Sequence, residues 1–452
     1  MPQKEPSPTK SVKLFWISII IISALLIIVI LNPKNKIADE SEINADQLRI
    51  RTNLSTLAID PDWSELEKYQ KIITKKRFLT ELKNVYSEQD AWKLVVRINS
   101  EYAEIRAKGN QIFKLQFGSS DHVPKNLRYW RKAGELPRNT NIEKEPLKDL
   151  RVAIDPGHIG GKWARMEGRW YQLDGKGIEI KEGELTLLTA KLIKQKLQSL
   201  GATVILLRDQ HEPVTKLRPE HFGELARKVL QSRGQYSEGL ALKRESELLF
   251  YRKHEIRRRA YIINNTIQPD LTICVHFNAE SWGNPNKPKL INRNHLHLLV
   301  NGNYSSTEFR LEDNRFHLFK RLLQNTHNEE LAVNIAVASS MANETGLPPY
   351  KYSTSNAKLI NQKQPYIYAR NLLANRIYHC PVIFLEPYVM NSSTFYHRVI
   401  AGNYSGEKII SGKKRKSLIH EYADGVVGGL VNYYKIRRKT SKGNGLIELL
   451  KP

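Results

Sequence analysis

At 452 residues the chain exceeds one ordinary domain, and a balance of 40% hydrophobic to 26% charged residues excludes a disordered polymer. Two cysteines exclude a disulfide scaffold, and Cys274 and Cys380 are expected as buried free thiols. A formal charge of +25 calls for a polyanionic neighbourhood. The aromatic and basic modules of nucleic-acid binders are missing, which leaves anionic lipid or envelope polymers and no nucleic acid.

In chain order, residues 1–13 carry Lys4, Lys10 and Lys13 ahead of an almost unbroken apolar run from Leu14 to Leu31. A run of about 18 to 20 such residues suffices to cross the hydrocarbon core of a bilayer. The lysines before it and Asp39-Glu40 after it set the N-terminus on the cytoplasmic side. The run ends at Asn32-Pro33-Lys34 rather than at small residues, so an uncleaved signal anchor over 14–32 is expected. Residues 33–60 read as a linker. Helical spacing from Ser64 to Glu88, then alternation in Trp92–Ile98, Tyr102–Arg106 and Ile112–Phe117, predicts a small α+β domain over 61–118 with half-buried antiparallel strands. Pro124, Pro137 and Pro146 mark a second linker over 119–149.

From residue 150 to 436 the pattern changes to strand, helix, strand: Arg151–Asp155, Glu184–Leu200 and Thr203–Leu207. This predicts an α/β fold, a mixed or mostly parallel sheet flanked by helices. Residues 209–262 form a helical insertion, a helix closes the domain from Leu418 to about Tyr434, and 437–452 are a basic tail.

Three β-branched runs each end on a group able to bind a metal or move a proton. Val152-Ala153-Ile154 leads into Asp155-Pro156-Gly157-His158, Leu271–Val275 into His276-Phe277-Asn278, and Pro381–Leu385 into Glu386. The carboxyl ends of strands are where open α/β sheets build their sites. Glu184 opens a helix whose Leu185, Leu188 and Leu192 suggest one face, with Glu182 the alternative carboxylate. Two histidines and a carboxylate make the ligand set of a catalytic zinc site with one position left for water. An isolated carboxylate behind five buried residues is costly, which singles out Glu386. His295 and His297 share a strand face, and Arg370-Asn371 precede the Glu386 strand, where a guanidinium could hold a substrate carboxylate.

Together these segments resemble the zinc-dependent N-acetylmuramoyl-L-alanine amidases, over roughly residues 150 to 435. The resemblance implies Zn²⁺ held by His158, Glu184 and His276, with Glu386 as the catalytic carboxylate. Asn278 and Asn391 match family positions; Asn278, His295, Arg370 and Asn371 are candidates for contact with substrate. One departure is Ile159, which separates His158 from Gly160-Gly161 where the family has His-Gly-Gly. The expected protein is a single-pass enzyme of a bacterial cytoplasmic membrane, cutting peptidoglycan on the outer side during wall remodelling or cell separation, possible protein activator included. The rival expectations are a silent peptidoglycan-binding or activating protein of the same fold, and an envelope zinc hydrolase of another amide.

Overall fold

The computed structural model describes residues 51–439. The expected anchor over 14–32, the segment before it, most of the 33–60 linker and the tail beyond 439 lie outside them. No helix among the described residues is long and apolar enough to cross a membrane.

The N-terminal part begins with a 3₁₀ turn at Trp63–Tyr69 and a helix at Lys75–Glu81 that runs on as a π turn to Tyr86. Three antiparallel strands follow: β1 (Val96–Ile98), β2 (Tyr102–Arg106) and β3 (Ile112–Gln116). Their alternation turns Ala103, Ile105, Phe113 and Leu115 inward. These side chains do not enclose a core of their own. Trp63, Phe78 and Phe113 share one with Tyr304, Phe309, Phe316, Phe319 and Leu322, so the expected separate domain over 61–118 is one half of a joint core. Residues 119–149 also differ from a free linker. Trp130 is fully buried against the large sheet, in the cluster of Ala153, Cys274 and Val382.

That sheet has seven strands. They are β4 (Arg151–Pro156), then, beyond a small ribbon of β5 (Trp170–Gln172) and β6 (Glu179–Lys181), β7 (Thr203–Leu206), β8 (Leu271–Val275), β9 (Leu296–Val300), β10 (Lys358–Leu359), β11 (Ile367–Ala369) and β12 (Val382–Pro387). Their order is β10-β11-β9-β12-β8-β4-β7. The strands from β12 to β7 are parallel, while β9 runs antiparallel to β12, so the sheet is mixed.

Alternate residues face opposite layers. Val152, Ile154, Ile273 and Ile383 pack under the helices Glu182–Ser199, Thr326–Thr345 and Leu418–Lys439. Ala153, Cys274 and Phe384 pack against Ala260, Ile263, Ile377 and Tyr378 on the other side. Both cysteines are free and buried, with Thr272 Oγ1 3.1 Å from Cys380 Sγ. Leu418–Lys439 carries the closing helix through Arg437–Lys439, which were expected to begin the tail. A short hairpin, β13 (Glu407–Ile410) and β14 (Lys413–Lys416), precedes it.

From β4 the chain crosses one face by Glu182–Ser199 to β7. It then returns by the helices of the 209–262 insertion, over the other face, to β8 on the far side of β4. After β4 the chain moves to β7 on one side, and after β8 it moves past β12 to β9 on the other, so the carboxyl ends of β4 and β8 flank the switch point in strand order at which α/β folds bind ligands.

One buried carboxylate ties the 119–149 segment to this frame. Asp270, 1% exposed just before β8, accepts hydrogen bonds from the main-chain N–H and guanidinium of both Arg131 and Arg151. Burial alone would raise its pKa; the Arg131 and Arg151 hydrogen bonds outweigh that and hold it below its ordinary value near 3.8. A carboxylate with a lowered folded pKa stabilises fully above its unfolded pKa, and that contribution is lost as pH falls through the folded value. Asp270→Asn should therefore cost about 2–3 kcal/mol at pH 7. The cost should shrink below about pH 4, as urea denaturation at pH 7 and pH 3 would check.

Candidate metal centre

The turn after β4 is built for close approach. Gly157 donates its N–H to Val275 O at 2.8 Å, and a Cβ there would lie 2.3 Å from the His276 ring. Glycine is thus required for the β4 and β8 ends to bring His158 and His276 together, with ring centroids 5.4 Å apart. His158 itself takes a left-handed backbone, φ 58°. His276 stacks on Phe384 at 4.6 Å, which fixes its plane. Tyr422 donates its hydroxyl to the His276 carbonyl at 3.0 Å.

The carboxylate that joins them is Glu182. One ligand atom each from His158, Glu182 and His276 lie within 4.8 Å of one another, a cluster that could hold a metal ion. Glu182 Oε2 is 3.2 Å from His158 Nε2, and Oε1 is 3.4 Å from His276 Nδ1 while accepting the Phe277 N–H at 3.1 Å. Glu184, the carboxylate favoured on the sequence, points away from this cluster. Its side chain is 39% exposed and pairs with Lys181 at 3.3 Å. The reason is helical phase. The buried stripe of Glu182–Ser199 runs through Thr186, Ala190, Ile193 and Leu197, whereas Leu188 is 41% exposed. Glu182 lies one turn before Thr186 on that stripe, and Glu184 is about 200° away from Glu182.

A second carboxylate, Glu167, was not singled out in the sequence. It accepts the main-chain N–H groups of Ile159 and Gly160 and lies 3.4 Å from His158 Nδ1. The inserted Ile159 is thus part of a buried loop that grips Glu167. A ligating histidine commonly gives its other ring nitrogen to such a carboxylate. Nothing local marks Glu167 in the sequence, since its partners are backbone groups eight and seven residues back.

The charges are compensated from below. Burial opposes ionisation of Glu182, but His158 and Arg169 beside it hold its pKa well below the carboxylate range. Arg208 donates to the Gly157 and Gly183 carbonyls at 3.2 Å. Arg259 is buried; it donates to Asp155 at 2.7 Å and to the carbonyls of Pro156 and His158. Asp155 also accepts the Tyr378 hydroxyl at 2.6 Å.

The donors fit a divalent ion of zinc's preferences. Glu182 is 1% exposed, yet its Oε2 makes no well-aligned hydrogen bond despite a ring nitrogen 3.2 Å away. A buried carboxylate oxygen left unbonded beside two imidazoles matches the donor set of such an ion.

Glu386 stands at the end of β12, beside β8. Burial raises its pKa, His276 draws it back, and the charge of Glu182 adds to the rise. The other expected residues divide. Arg370 is half-buried and donates to the Tyr352 hydroxyl at 3.4 Å. Asn371 accepts from Arg376 at 2.6 Å, and Asn278 caps its own loop through the Ala279 N–H. Asn391 bridges Glu280 N and Lys289 O, ordering the loop beside the site. His295 is 6% exposed and neither ring nitrogen has a partner.

No family model matches the chain, and no curated protein matches it significantly. Solved structures similar to it include Ami1 of Mycobacterium abscessus, an N-acetylmuramyl-L-alanine amidase, at 17% identity over 64% of this chain and 99% of that one, TM-score 0.34. The CwlD amidase of Clostridioides difficile, in complex with the GerS lipoprotein, is 11% identical over 64% of this chain and 100% of its own, TM-score 0.37. The amidase AmiC2 of Nostoc punctiforme is 14% identical over 64% and 98%, TM-score 0.33. Likeness at this level says nothing of activity, which has to come from the site.

If Glu182 is the ligand, Glu182→Gln should weaken zinc binding by at least about 100-fold, and Glu167→Gln by about 10- to 100-fold. Glu184→Gln should leave it within about twofold. Competition against a fluorescent chelator separates these cases.

Proposed function

We propose that the chain is a zinc amidase that hydrolyses the bond between N-acetylmuramic acid and L-alanine in peptidoglycan. One observation carries the reading: two imidazoles and a carboxylate converge at the ends of β4 and β8, and a second carboxylate of raised pKa, Glu386, stands at the neighbouring strand end. The motifs on which they sit are those that resemble the amidase family.

His158, Glu182 and His276 would hold the ion, with a fourth position left open. When bound, zinc acidifies water toward neutrality and polarises the scissile carbonyl. The chain's own part is proton handling and orientation. Glu386, whose burial favours the protonated form, takes a proton from the attacking water and returns it to the leaving nitrogen, the amino group of L-alanine. Glu167 holds the His158 ring in place, and Phe384 holds that of His276. Arg370 is the group best suited to a carboxylate of the stem peptide, being a half-buried guanidinium. Asn278 and Asn371 shape loops.

Peptidoglycan lies outside the cytoplasmic membrane, so the reading includes the anchor over 14–32 with residues 51–439 on the outer face. The excess of basic residues would there face anionic wall polymers or lipid. Wall remodelling or cell separation, under a protein activator, would be the setting.

The full-length protein incubated with purified peptidoglycan should release stem peptides beginning with L-alanine, and chelator should stop it. Glu386→Gln should lower kcat by about 10²- to 10⁴-fold with bound zinc unchanged. Intact wall that merely sediments with the protein would overturn the amidase in favour of a binder.

A further inference from the structure

Strand β9 carries histidines that the reaction above does not use. His297 stands directly opposite Glu386 in the antiparallel register of β9 and β12. Opposed residues leave a sheet on the same face, with Cβ atoms about 5 Å apart. His297 is 2% exposed, and its Nδ1 has no hydrogen-bond partner.

The other ring nitrogen is engaged. Tyr352 places its hydroxyl 3.0 Å from His297 Nε2, and Arg370 Nη1 lies 3.4 Å from that same hydroxyl. A guanidinium can only donate. The Tyr352 oxygen therefore accepts from Arg370, which leaves its own proton free to point at Nε2. In that arrangement the imidazole proton sits on Nδ1. Burial, with His295 and Arg370 adding to it, depresses the pKa of His297 well below the usual value, so the ring stays neutral and the tautomer persists. Tyr350 lies 4.3 Å from the His295 ring and 4.9 Å from that of His297, and it covers the pair.

A buried N–H without an acceptor carries an uncompensated desolvation cost. We propose that His297 is a positioning residue for Glu386: the chain from Arg370 through Tyr352 presents the Nδ1–H to the Glu386 carboxylate in the working site, leaving its other oxygen to face the attacking water. This rests on Glu386 being the proton acceptor of the reaction proposed above. His297 forms no bond to substrate, and it neither gains nor loses a proton.

The tautomer can be read without activity. ¹⁵N-histidine spectra of the full-length protein, with the His297 signal identified by its loss in His297→Asn, should show a ring protonated on Nδ1 throughout pH 5–8. Tyr352→Phe should abolish that fixed tautomer. In peptidoglycan hydrolysis, His297→Phe should lower kcat about 10- to 100-fold with KM within about twofold. His297→Asn, whose amide N–H can stand in for Nδ1–H, should recover most of the loss. A ring protonated on Nε2, or His297→Asn no faster than His297→Phe, overturns the proposal. If the unsubstituted protein releases no stem peptides, the amidase reading fails instead, and the spectra still decide the tautomer.

Discussion

The site depends on one backbone contact. Gly160, in the turn after β4, lies against Gly183 in the first turn of Glu182–Ser199, so close that a Cβ on Gly183 would sit 2.3 Å from Gly160 N. No side chain fits between these segments. Their contact fixes the helix start relative to the strand end, and so decides which carboxylate reaches His158 and His276. Thr186 and Arg208 tighten the same junction, both donating to the Gly157 carbonyl.

A buried carboxylate among imidazoles carries a desolvation cost that only close partners can offset. Here the partners sit in two layers. Arg169, 3.7 Å from Glu182 Oε2, and the Phe277 N–H act at the carboxylate itself. Beneath, the Arg259–Asp155 pair holds the turn through the Pro156 and His158 carbonyls. Arg259 belongs to the 209–262 insertion, and its partner Glu255 also accepts the Val214 and Thr215 N–H groups. The insertion is thus more than surface elaboration, since it supplies the cation on which the His158 turn rests.

Much of this was legible in the sequence. Strand ends at His158, His276 and Glu386 could be read because buried parallel strands are short continuous apolar runs, and polar residues that follow them stand out. The three small strands of residues 96–116 showed their alternation plainly. The choice between Glu182 and Glu184 turned on helical phase, and the leucines misled: Leu185, Leu188 and Leu192 suggest a stripe, while the true one uses Thr186 and Ala190, whose small side chains admit close packing against the sheet. Glu167 and Tyr352 act through backbone groups or distant partners, so no local pattern reveals them. The joining of residues 63–116 to 304–323 was hidden for the same reason, because amphipathic periodicity shows that a face is buried and not what buries it.

That joint core sets a condition on biosynthesis. Trp63, Phe78 and Phe113 leave the ribosome with their covering partners, Phe316, Phe319 and Leu322, about 200 to 260 residues behind. At about 5–20 residues per second the aromatic surface waits roughly 10–50 s for its other half. The chain must therefore complete its N-terminal layer late, after the strands and helices that are made in between, and a nascent intermediate with exposed rings is built into its order of synthesis.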